Sequence, residues 1–178
     1  MASQVFNLEQ LSFLNQCRRR SETLVECFFS IPALPSKQYP YEVVTLVDLE
    51  EPEKASHSFA HLVVYERQRQ KSIEHLYRIC LQDDVILSRL VGHGPEWLSA
   101  LLVYVLSHEI IHVVRFQRAE QSFLAGHGLR QKEEDLVHQI TLELLGEARE
   151  PFWEQLNALY GNPVIPARML PKSSIARI

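Results

Sequence analysis

Two histidines and a glutamate, His108, Glu109 and His112, stand in the middle of the apolar run VYVLSHEIIHVVRF at 103–116. Buried polar side chains need partners, so these three either face water or are bound by something the fold supplies. On a helix, His108 and His112 project from one face, one turn apart, and two imidazoles so placed can grip one ion together. Neutral imidazole nitrogens are good zinc ligands, and zinc with three protein ligands and one open position lowers the pKa of water there to about 7. Glu109 is rotated by about 100° from His108. That sets a carboxylate beside the open position without making it a ligand, as a general base requires. The competing reading is a core helix whose histidines bond to backbone carbonyls while the glutamate reaches solvent. It needs several separate partners on an oily segment, and an unpaired buried carboxylate costs on the order of several kcal/mol, so the metal reading is preferred.

The spelling His-Glu-x-x-His, with Ile110 and Ile111 between, resembles the zincin metallopeptidases. The setting agrees, because the motif lies in a strongly apolar helix that follows a β-rich segment. The resemblance covers residues 95–146 and implies zinc on His108 and His112, Glu109 as general base, and a third ligand on a later helix. In the gluzincin branch that ligand is a glutamate, followed four residues on by an aspartate that supports the first histidine. Here EDLVHQITLELL supplies Glu134 and, at that interval, His138, with Ile140, Leu144 and Leu145 where such a helix packs its core face. His138 stands where the aspartate would be, which leaves three arrangements open. Glu134 binds zinc with His138 behind it; His138 binds zinc with Glu134 orienting it; or Glu133, closer to the centre of the apolar arc, is the ligand. A helix merely charged at its first turn would explain the acids but not His138.

The implied activity is hydrolysis of a peptide or protein substrate, held extended along an edge strand drawn from 41–49, 59–68 or 72–81. The alternative is a non-catalytic zinc-binding regulatory or interaction module on the same fold, against which the presence of Glu109 argues; a metal-free helical interaction domain is a further rival. His127, in the loop LAGHGL, could reach a cleft and hydrogen-bond the developing oxyanion. His93 belongs to a turn before the motif helix, and nothing ties His57, His61 or His75 to the metal. Tyr104 and Arg115 share the histidine face by helical phase, where packing and surface pairing are their expected roles.

The elements that must position these residues read as an α+β layout, a zincin-like small and mostly antiparallel sheet against helices, within a single domain spanning 1–178. A helical pattern over 7–30 is stopped by IPALPSKQYP, with its three prolines. Three β-leaning segments follow at 41–49, 59–68 and 72–81, the last two close enough for a hairpin. The segment 83–91 is ambiguous between strand and helix. From Pro95, well placed as a first helical residue, the motif helix should run to about 118, buried nearly all round. The second ligand-bearing helix is expected at about 130–146, a third at EPFWEQLNALY within a helical part reaching 161, and an irregular tail over 162–178.

A chain of 178 residues fits one domain. Its net charge of −4, from 22 acidic and 18 basic side chains, does not build the field that nucleic acid or an anionic membrane recruits. The dense basic run at 18–20 reads as the solvated face of the first helix. Three scattered cysteines, Cys17, Cys27 and Cys80, form neither a disulfide framework nor a thiolate zinc site. The start MASQVFNLEQLSF lacks the basic head and apolar stretch of a secretory signal, and WLSALLVYVL is about half a membrane span. A soluble cytoplasmic protein, with no nucleic-acid or membrane partner, is the expectation.

Overall fold

A computed structural model describes residues 4–69, 72–120 and 127–149. The expected third helix, the tail and the tip of the hairpin lie outside them. Helix α1, Leu8–Phe29, starts at Asn7, whose side chain accepts from the Gln10 amide while Gln10 accepts from the Asn7 amide, a reciprocal cap. Ser30 closes it in the left-handed conformation. Its buried residues Leu14, Cys17, Ser21, Leu24 and Val25 recur at spacings of three and four, which gathers them into one stripe.

That stripe lies against α3, Pro95–Gln117, the helix that carries the motif. Ser21 Oγ donates to the Val103 carbonyl at 3.1 Å and Cys17 Sγ lies 3.9 Å from the Ser99 carbonyl, so the two helices run in the same direction with small side chains at the seam. Every residue from Ala100 to Val114 is buried, as the unbroken apolar pattern predicts. The helix has the length and mean hydropathy to cross a membrane, yet 89 % of its most apolar window is buried inside the fold. Leu101, Leu106, Ile110 and Ile111 are fully buried. Leu106→Ala removes a side chain from this close-packed centre and is expected to lower the unfolding free energy by about 2–5 kcal/mol in a denaturant titration.

The sheet holds β1 (Tyr41–Val44), β2 (Ala60–Arg69) and β3 (Ser72–Leu81) in the order β1-β3-β2. The expected hairpin is present, with β2 and β3 antiparallel over ten residue pairs. The sheet is mixed: β1 joins the other edge of β3 in parallel over four residue pairs, beside the ten antiparallel ones. On one face Ala60, Leu62, Tyr77, Ile79 and Leu81 are buried in the core. On the other, Glu53 accepts from Tyr65 Oη and from Arg78 Nη1, and Arg78 Nε donates to Glu42 at 2.6 Å. This cluster ties the turn at Glu51–Glu53 to the sheet.

One expectation for this region is corrected. The strand read over 41–49 ends at Val44 and gives way to a 3-10 turn, Leu46–Asp48. Asp83 is the cause: its carboxylate accepts from the Leu46 amide at 3.1 Å and from the Phe6 amide at 3.0 Å, drawing the chain off the ladder. The ambiguous segment after it is helical, α2, Asp83–Arg89, with Asp83 and Asp84 in the first turn, where acids favour the helix dipole. The last described helix, α4, runs His127–Glu147, three residues earlier at its start than expected.

Candidate metal centre

Helix α4 packs antiparallel to α3 across a ladder of polar pairs. Tyr104 faces His138, His108 and His112 face Glu134, and Arg115 faces Glu133. Helical repeat explains the α3 side of this ladder, since 104, 108, 112 and 115 are spaced by three or four and share a face. The same repeat puts Glu134 and His138 on one face of α4.

At the centre, three atoms converge. His108 Nε2 and His112 Nε2 lie 3.2 Å apart, and Glu134 Oε2 lies 3.3 Å from the first and 3.4 Å from the second. Hydrogen bonds alone cannot satisfy this triangle. Each neutral imidazole offers at most one proton at Nε2, and if both donate to Glu134 the two nitrogens face each other with nothing between them. A cation satisfies all three contacts at once. Three corners of a regular tetrahedron with edges of this length lie about 2.0 Å from its centre, which matches zinc–nitrogen and zinc–oxygen bonds of about 2.0–2.2 Å. Among the described residues, this is the one group of three such donors close enough to share an ion.

The surroundings are dry. His108 and His112 are 2 % and 0 % exposed, Glu109 is 1 % exposed, and the Glu134 side chain keeps 12 %. Four buried polar atoms here have no hydrogen-bond partner: His108 Nδ1, His112 Nδ1, Glu109 Oε2 and Glu134 Oε1. Orphaned polar atoms gathered at one place are what a bound ion or water there would satisfy. Burial pushes the Glu109 carboxyl up to about 7, opposed by nearby His108 and reinforced by Glu134. Burial acts the same way on Glu134, but hydrogen bonds from His108 and His112 outweigh it and hold that carboxyl down at about 2.

No protein-family model, curated protein or solved structure matches the chain.

Of the three arrangements open in the sequence, the fold gathers His108, His112 and Glu134. His138 is not part of that group. Its Nδ1 lies 2.6 Å from Tyr104 Oη, and the Tyr104 ring stacks on His108 at 6.2 Å. Burial raises the Tyr104 phenol and lowers the His138 imidazolium, so at neutral pH both groups are uncharged and share this one hydrogen bond. Glu133 is committed elsewhere too, taking Arg115 Nε at 2.7 Å and Nη2 at 3.0 Å. Arg115, expected to pair at the surface, does so only in part: its side chain is 11 % exposed and bridges nearly buried Glu133 to Glu120 at the rim.

His127 is the first residue of α4, and its side chain lies outside the described residues. The remaining histidines stand apart from the centre, with His93 against Trp97, His75 beside Glu66, His61 buried on β2 and His57 exposed in a turn. Sequence reasoning missed the tie between Arg115 and Glu133. The signal was present in the phase of Arg115, one turn beyond His112.

Proposed function

We propose that this chain is a zinc-dependent peptidase of zincin type, gluzincin-like in drawing its third ligand from a later helix. The observation that carries the reading is the triangle of His108 Nε2, His112 Nε2 and Glu134 Oε2, with edges of 3.2–3.4 Å and an unpartnered acid, Glu109, buried next in sequence to one corner. His108, His112 and Glu134 would hold the ion. When bound, zinc polarises a peptide carbonyl and makes water acidic enough to lose a proton near neutral pH.

The chain's own residues do the rest. Glu109 takes the proton from the attacking water and delivers it to the amine nitrogen as the C–N bond breaks, so one carboxylate acts as base and then as acid. Its burial suits both roles, because desolvation raises its basicity, and a cation held by His108, His112 and Glu134 would favour the ionised form that accepts. Tyr104 and His138 brace the side of His108. The closed environment strengthens each of these interactions by excluding water.

A peptide substrate would add as a strand to the sheet. Because β3 is flanked on both sides, the free edge belongs to β1 or β2. With its acidic net charge and a motif helix enclosed by its own fold, the protein is proposed to act on peptides in the cytoplasm. The test is cleavage of a broad peptide library by zinc-loaded protein, with and without a chelator. Cleavage that stops on chelation and returns with zinc supports the reading. Stoichiometric zinc binding without cleavage favours the non-catalytic module, and no zinc binding removes the reading altogether.

A further inference from the structure

We propose that Glu133, clamped by Arg115, is a positioning residue that accepts a hydrogen bond from His112 Nδ1 and thereby aims the His112 Nε2 lone pair at the ion; this rests on the metal-centre reading above. Two consecutive acids of α4 address opposite nitrogens of one imidazole. Glu134 Oε2 lies 3.4 Å from Nε2, and Glu133 Oε1 lies 3.9 Å from Nδ1. A neutral imidazole has one N–H and one lone pair. If Nε2 gives its lone pair to a cation, the proton sits on Nδ1, and that atom is buried without a partner.

Glu133 is the acceptor at hand. Its Oε1 already receives Arg115 Nε at 2.7 Å, but a carboxylate oxygen has two lone pairs and can take a second donor. A shift of about 1 Å brings the pair to hydrogen-bond distance. Arg115 supplies rigidity: it grips both oxygens of Glu133, is anchored again on Glu120 at 2.6 Å, and stands one turn from His112 on the same helix. Partners of this kind orient metal-binding histidines and fix their tautomer. A plain ion pair between helices would leave His112 Nδ1 unserved.

The experiment measures zinc affinity of the full chain by competition with a chromophoric chelator. Glu133→Ala is expected to weaken zinc binding by about 10–100-fold. Since that variant strands Arg115, the double variant R115M/E133L replaces the ion pair with apolar side chains that preserve packing. It is expected to keep the parent's helix content and show the same loss of affinity. Glu133→Gln, whose amide oxygen still accepts, should recover most of it. In the zinc-loaded parent, nitrogen-15 NMR should find a slowly exchanging proton on His112 Nδ1. A folded R115M/E133L protein with the parent's affinity, or a His112 Nδ1 proton that exchanges as freely as one in water, overturns the proposal. A parent that binds no zinc overturns the metal-centre reading instead.

Discussion

Glu109→Gln is expected to keep one zinc per chain and to lose peptide hydrolysis by roughly two to four orders of magnitude. The substitution keeps the shape of a side chain that is 1 % exposed, so the helix and the ligands on either side should stay in place. What disappears is the ability to accept a proton. The change should even relieve the fold, because an amide does not incur the desolvation that pushes the Glu109 carboxyl up to about 7. Elemental analysis beside a single-peptide turnover assay reads both quantities. Retained zinc with undiminished turnover would show that some other group moves the proton, and the role given to Glu109 would fall.

The second large effect is on the metal itself. His108→Ala, His112→Ala and Glu134→Ala each remove one corner of the triangle, and each is expected to weaken zinc binding by more than about 100-fold, beyond the cost of losing an outer partner. Zinc content after dialysis should fall from about one per chain toward zero. His138→Ala should keep its zinc, since its Nδ1 is engaged by Tyr104 rather than by the triangle. The reverse pattern, with metal lost on replacing His138 and kept on replacing Glu134, would transfer the third ligand to His138. Alanine at either histidine also leaves a cavity and strips buried Glu134 of a partner, so thermal unfolding of these variants should fall below that of the parent, and zinc content is read at a temperature where circular dichroism shows them folded.

Much of the positioning scaffold was legible in the sequence because it is encoded locally. The motif needs only a four-residue spacing within one helix, and the continuous apolar pattern of 95–118 announced a rod buried on all sides. The hairpin of β2 and β3 was equally readable from alternation and a short connection. What stayed hidden depends on partners distant in the chain. Strand β1 stops at Val44 because Asp83, 37 positions from Leu46, takes the Leu46 amide. The parallel pairing of β1 with β3 needs a path that no local pattern specifies. Similarly, Glu133 looked like a candidate ligand because helical phase places it well, and only the guanidinium of Arg115 reveals its other engagement. Phase finds the face of a helix but not what sits opposite.

The enclosure of the motif helix also governs traffic. With both imidazoles and Glu109 sealed from solvent, the rim of the centre is the partly open flank of Glu134 on α4. An ion would come and go past that flank, so exchange should be gated by small excursions of α4 away from its neighbour. On the proposed reading, whatever arrives from outside would meet the Glu134 carboxylate before either histidine, which gives the centre a front and a back.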